Sequence, residues 1–191
     1  MIIDITQELF SCKVFPGDSK PERRQIMSIG KGDSCNLTEF SMCAHNGTHV
    51  DAPLHFISNG RAVDEMGLTP FVGDCFVFRH NGDVTASDAE NILSRAQSER
   101  ILIAGKAIVT AEAARVFADS GIVLIGNESQ TVGPEDSPAQ VHLILLGAGV
   151  VLLEGIVLEG VAEGHYFLSA APLNLDGCDG APCRAYLISK D

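Results

Sequence analysis

Residues 44–56 read AHNGTHVDAPLHF and gather His45, His49, Asp51 and His55 from a chain with six histidines in all. The odd-numbered donors would share one face of a straight strand. Such a strand would hold His45 and His49 about 13 Å apart, too far to share one small ion. A helix would bring those two rings together at i, i+4. It would also swing Asp51 off their face, and Gly47, Thr48, Val50 and Pro53 all resist helix. The segment is therefore expected to be a bent strand, or a strand running into a loop, with Gly47 permitting the bend and Pro53 ending the ladder. Bent that way, two imidazoles and a carboxylate can converge on one metal ion.

The donor types limit the ion. Nitrogen and oxygen without thiolate suit zinc, manganese and related divalent cations. Three protein ligands leave a position open, as a catalytic site needs and a structural one does not. His55 then stands beside the ligands without being one, where an imidazole can carry protons. His80, beside Asn81-Gly82, reads as a solvated turn residue. His165 and His142 have no partner nearby in sequence, and on these grounds alone His142 stays undecided.

Around this segment the chain reads as mixed α and β. IIDIT is an apolar, β-branched strand, and FPGD at 15–18 is a turn. DCFVFRH is a strand closed by Gly82. TASDAENILSRAQSER is a helix with Ser87 as its cap and Glu90 completing a capping box. TAEAARVFADSG is a second helix, opened by Thr110 and stopped by Gly121. IVLIG is a buried strand. HLILLGAG is a short helix or a strand, VVLLEG is a strand carrying Glu154, and YFLSAAPLNL and RAYLI are late strands. Strands outnumber helices and the order is mixed, which indicates an α/β layered domain. No repeat, low-complexity tract or linker divides the 191 residues, so one domain spanning 1–191 is expected.

Composition sets further bounds. The formal net charge of −12 argues against nucleic acid or an anionic membrane as partner. The longest nearly apolar run, 143–153, is broken by glycines and too short to span a bilayer. The N-terminus lacks a basic region followed by an apolar one, so a cytoplasmic location is expected. The six cysteines follow no metal-binding spacing and read as free thiols in a reducing compartment.

The sequence resembles the metal-dependent cyclase family, which includes bacterial kynurenine formamidases. Its central motif, His-x-Gly-Thr-His-x-Asp-x-Pro-x-His-Phe, stands here without a gap as HNGTHVDAPLHF. IDITQEL with VFPGD resembles the family's opening strand and aromatic-Pro-Gly-Asp loop. HLILLGAGVVLLEGI resembles its second histidine segment leading to a Glu-Gly pair, and APLNLDGCDGAPCRA its closing Pro-Leu, Asp-Gly-x-Pro-x-Arg segment. The resemblance implies a three-layer β/β/α domain of the swivelling cyclase type, assembled as a homodimer or homotetramer. It implies that His45, His49 and Asp51 are metal ligands, that His142 and Glu154 complete a site for one or two divalent ions with Asp51 able to bridge, and that His55 is the catalytic histidine. Phe15 and Arg184 become candidates for substrate contact, pocket wall or subunit contact.

The departures lie elsewhere. The family's Gly-x-Asp-x-x-Ser appears as GNESQT, with Glu128 and Thr131 at the changed positions, and its Leu-Arg-Thr-Gly-Trp as LIAGK with a short following loop. The expected activity is hydrolysis of a small amide at a non-peptide carbon–nitrogen bond, with N-formylkynurenine as leading substrate. A cyclic amide of the isatin type, or a non-catalytic metal-binding protein on the same fold, are the alternatives.

Overall fold

The computed structural model describes residues 1–189. In chain order the strands and helices begin with β1 (Ile2–Asp4), β2 (Glu22–Met27), β3 (Leu37–Ser41), β4 (His49–Asp51), β5 (Val72–Arg79) and β6 (Gly82–Val84). There follow α1 (Ala86–Ala96), β7 (Arg100–Ala104), β8 (Ala107–Val109), α2 (Ala111–Asp119), β9 (Leu124–Asn127) and α3 (Ala139–Gly147). The chain closes with β10 (Val151–Glu154), β11 (Gly164–Ser169), β12 (Gly180–Pro182) and β13 (Tyr186–Ser189). No helix among the described residues is long and apolar enough to cross a membrane.

Nine strands form one sheet in the order β1-β13-β11-β5-β7-β9-β10-β4-β12. Its middle, β5-β7-β9-β10, is parallel, as βαβ crossovers require, and both flanks are antiparallel. Strand β7, RILIA, is buried throughout and shows how the sheet serves two cores. Ile101 and Ile103 join Phe117, Ile125 and Leu145 beneath the three helices. Leu102 and Ala104 point the other way and pack with Val50, Val77, Leu153 and Leu187. The sheet curls around this second core. After β1, Ile5 donates to Ala185 at 3.0 Å and accepts from Val157 at 2.8 Å, and Thr6 bridges to Ile156. The first edge of the sheet thus meets the chain just beyond β10, giving two β layers and one helical layer as expected.

Several local expectations need correction. The cap of α1 is Thr85, not Ser87. Thr85 is extended, and its hydroxyl accepts from the Asp88 backbone at 3.2 Å while Asp88 reaches back to Thr85 N at 2.9 Å. Ser87 and Glu90 lie inside the helix. Gly82, at φ +85°, opens β6 and does not close β5. Of HLILLGAG, the first six residues are helical, as the end of α3, which stops at Gly147. The strand from YFLSAAPLNL stops at Ser169. The pair β2–β3 stands apart from the main sheet, exposed on both faces.

For function the decisive feature is the position of β4 between β10 and β12. Antiparallel pairing sets His49 opposite Glu154 on one side and Pro182 on the other, and Asp51 opposite Leu152 and Gly180. Directly opposed side chains on one face lie close enough to interact, so the register alone delivers Glu154 to His49.

Candidate metal centre

Residues 44–56 fold as a turn, the three-residue strand β4 and a 3₁₀ turn over Pro53–His55. Gly47 sits at φ +66°, a conformation that glycine adopts without strain. The hydroxyl of Thr48 accepts from Gln7 N at 2.9 Å and donates to Gly155 O at 2.6 Å, tying the turn to the chain after β10. Val50 points into the core while its neighbours His49 and Asp51 point to the site, all three fully buried. The His55 amide donates to Ala52 O at 3.0 Å, which curls the chain back toward His45.

Backbone carbonyls orient two of the histidines. His49 Nδ1 donates to Gly47 O and His142 Nδ1 to Pro138 O, each at 2.9 Å. A carbonyl only accepts, so those nitrogens carry protons, and both Nε2 atoms are turned to the carboxylates. His49 Nε2 lies 3.5 Å from Asp51 Oδ1 and 3.5 Å from Glu154 Oε2. His142 Nε2 lies 3.4 Å from Asp51 Oδ2 and 3.2 Å from Glu154 Oε1. His45 Nδ1 lies 2.9 Å from Asp51 Oδ1. Glu154 Oε1 is further held by the Val132 amide at 2.8 Å. Outer partners of this kind are what fix ring and carboxylate orientation around an ion.

The charges are strongly coupled. Burial alone would push His49 and His142 down, but Asp51 and Glu154 hold both up, at about 10. Burial opposes the charged form of Asp51 too, yet the imidazoles of His142, His45 and His49 keep it well below the usual carboxylate range. His45 is likewise raised against the pull of burial, chiefly by Asp51. Asp51 Oδ2 is buried with no hydrogen-bond partner. A buried carboxylate oxygen left without a donor is costly, and a cation between Asp51, Glu154 and the facing imidazole nitrogens would satisfy it. The residues therefore fit a divalent cation. His49, Asp51 and Glu154 offer one compact donor group, and His45, Asp51 and His55 another.

All five expected ligands meet here, and Glu154 spans His49 and His142 as Asp51 does. His55 stacks on His45 with ring centroids 4.0 Å apart. It lines a cavity of about 240 Å³ with Phe15, Asp18, Phe56, Gln130, Thr131 and Pro138 above the histidines and Glu154. Phe15 is thus at the site. Arg184 is not; its exposed guanidinium pairs with Asp4, Nε at 3.1 Å. Thr131 lines the cavity, whereas Glu128 faces away, accepting from Gly105 N at 2.5 Å and Leu158 N at 2.9 Å as a structural tie. His80 bonds Asp83 O at 3.0 Å, and His165 packs on Phe76. All six cysteines are free thiols. One participant escaped the sequence reading: Asp179, whose Oδ2 lies 2.9 Å from both His45 Nε2 and His55 Nδ1. It opens the run DGAPCR, which matches the Asp-Gly-x-Pro-x-Arg of the family's closing segment, but the resemblance gave it no role, and the Asp-Gly pair by itself indicates only a turn.

Known proteins resemble this chain along nearly its whole length. The family model described as "Putative cyclase" matches residues 3–134. A kynurenine formamidase of Salinibacter ruber is 35% identical, over 97% of this chain and 96% of that protein. A solved structure described as a potential metal-dependent hydrolase with cyclase activity superposes with a TM-score of 0.85 at 29% identity, covering 98% of this chain and 96% of the other. Isatin hydrolase A from Labrenzia aggregata shares the fold, with a TM-score of 0.85 at 23% identity over 100% and 94% of the two chains.

Proposed function

The chain belongs to the cyclase family, and from that premise we propose that it hydrolyses a small aryl formamide, with N-formylkynurenine as the leading substrate. The observation that carries this is a cluster of three histidines and two carboxylates, buried but for part of His45, opening on a cavity walled by Phe15, Phe56 and Pro138, with a fourth histidine at its rim. A divalent ion, zinc or manganese by donor type, held by His45, His49, Asp51, His142 and Glu154 would act as a Lewis acid on the carbonyl and make water acidic near neutral pH.

The protein's own groups do the rest. Phe15 and Phe56 offer apolar faces for the aryl ring, which orients the formamide carbon toward the donor cluster. His55 takes the proton from the attacking water as the C–O bond forms. It returns that proton to the departing nitrogen as the C–N bond breaks, so the products are formate and an aryl amine. The rings of His45 and Phe56 pack against His55 and restrict it. Assembly as a homodimer or homotetramer belongs to the same proposal.

The test is hydrolysis of N-formylkynurenine and simple aryl formamides by protein loaded with zinc or manganese, beside isatin as the cyclic amide. Turnover of the formamides that is abolished by chelator and restored by metal is expected. Metal binding without turnover of any amide would overturn the proposal in favour of a non-catalytic metal protein.

A further inference from the structure

We propose that Asp179 is a positioning residue that sets the tautomer of His55 and anchors the ring of His45, through one carboxylate oxygen. Oδ2 of Asp179 lies 2.9 Å from His45 Nε2 and 2.9 Å from His55 Nδ1. An ionised carboxylate only accepts hydrogen bonds, and one oxygen has lone pairs for two donors. Both ring nitrogens therefore carry protons. His45 turns its other nitrogen, Nδ1, to a second carboxylate oxygen, Asp51 Oδ1 at 2.9 Å, so Asp179 anchors the far end of a ring whose near end faces the donor cluster. The remaining nitrogen of His55, Nε2, is left free and available to take a proton. Without this acceptor His55 can carry its proton on Nε2 and would then be useless as a base.

The chain around Asp179 is built to hold it. Its carbonyl accepts from Ala52 N at 2.9 Å, and that of Cys178 from Val63 N at 2.8 Å. The next residue, Gly180, pairs with Asp51 in the β12–β4 ladder. A Cβ on Gly180 would lie 2.6 Å from His45 Cε1 and 2.7 Å from Val50 O. The missing side chain is what lets the His45 ring lie against the strand, with Nε2 turned to Asp179. The side chain of Asp179 is 44% exposed, so solvent screens its charge and its contribution is one of geometry. The pair Asp179-Gly180 thus couples a candidate metal ligand to the proton carrier, which a carboxylate on His55 alone would not do.

This inference rests on the reading of His55 as proton carrier, and the tautomer can be read without turnover. Protein with ¹⁵N-labelled histidine rings, stripped and zinc-loaded, should show His55 protonated on Nδ1 in both forms, its signal assigned by loss in His55→Ala. In Asp179→Ala the His55 proton should move to Nε2 or exchange between the two. The kcat on N-formylkynurenine should fall about 10- to 100-fold, the usual cost of losing such an outer partner, with KM little changed. Asp179→Asn keeps an acceptor oxygen and should recover the Nδ1–H form and part of kcat. A wild-type His55 protonated on Nε2 would overturn the proposal, as would an unchanged spectrum in Asp179→Ala. If Asp179→Ala does not fold, the wild-type spectrum decides alone. If wild-type protein shows the Nδ1–H form but no formamidase activity, the function falls and the role of Asp179 stands.

Discussion

His49 and His142 address the same two carboxylates through different oxygens. His49 Nε2 faces Asp51 Oδ1 and Glu154 Oε2, each at 3.5 Å, and His142 Nε2 faces Asp51 Oδ2 at 3.4 Å and Glu154 Oε1 at 3.2 Å. Each carboxylate therefore spans two imidazoles that backbone carbonyls hold from behind. His45 adds a donor on the His49 side only, at Asp51 Oδ1. If two ions bind, as the proposed ligand set allows, their positions should be unequal, one richer in ligands than the other.

That asymmetry predicts different outcomes for two substitutions. His142→Ala removes a donor from the poorer position and leaves His45, His49 and both carboxylates. Calorimetric titration with zinc should show two binding events in wild type and one in His142→Ala. Glu154→Gln alters a group shared by both positions and should weaken both events. A wild-type protein with one event, or an unaltered second event in His142→Ala, would rule out two positions of this kind.

Proton and metal compete for the same atoms, so the stripped protein should respond to pH. His49 and His142 are held up at about 10 by Asp51 and Glu154, from an ordinary value of 6.5. A raised histidine contributes stability that is fully present below pH 6.5 and lost as pH climbs through its folded value. Asp51, held below 3.8, contributes in the opposite sense, above its ordinary value and not below. Melting temperature of the stripped protein should therefore fall from about pH 6.5 toward 10 as these pairs deprotonate. Zinc binding should release protons in the same range, and the melting difference between loaded and stripped protein should widen. Equal melting temperatures of stripped protein at pH 6.5 and pH 9.5 would contradict the coupling.

Local patterns exposed some of this site and hid the rest for definable reasons. His45, His49, Asp51 and His55 are legible because one bent segment carries all four, and Gly47 and Pro53 mark its bends. Glu154 arrives by the β4–β10 register and Asp179 by the β12 edge, and no short-range pattern contains such pairings. The segment bearing His142 is apolar on all sides, so periodicity cannot separate helix from strand. It took the family resemblance to single out His142 and Glu154. The pair β2–β3 left no alternation to read, since both its faces are exposed.

His55 and His49 should separate binding from chemistry. His49→Ala loses an imidazole fixed at the centre of the cluster and should lower metal content and activity together. His55→Ala should retain near-normal metal content while kcat falls about 10²- to 10⁴-fold, the usual range for a lost proton carrier. Elemental analysis and steady-state kinetics on the two variants decide it. A metal-free His55→Ala protein would make His55 a ligand, as its place in a donor group with His45 and Asp51 permits.

Gly155 gives a test of the orienting bond behind His49. It sits at φ +66°, and a Cβ there would collide with the Gly47 carbonyl, the acceptor of His49 Nδ1, and with the Gln130 amide. Gly121 is the control: its φ is +82°, and nothing lies within 4 Å of its would-be Cβ. Gly121→Ala should cost only the strain of a left-handed residue, about 1–2 kcal/mol, with metal affinity unchanged. Gly155→Ala should cost more stability than that, because backbone must also move. It should weaken zinc binding by about 10- to 100-fold as the Gly47 carbonyl is pushed off His49. Thermal melting and zinc titration on both variants measure the two effects separately. If Gly155→Ala is destabilised yet binds zinc as tightly as Gly121→Ala, the Gly47–His49 bond does not orient the ligand, and the ring is held by its carboxylate partners alone.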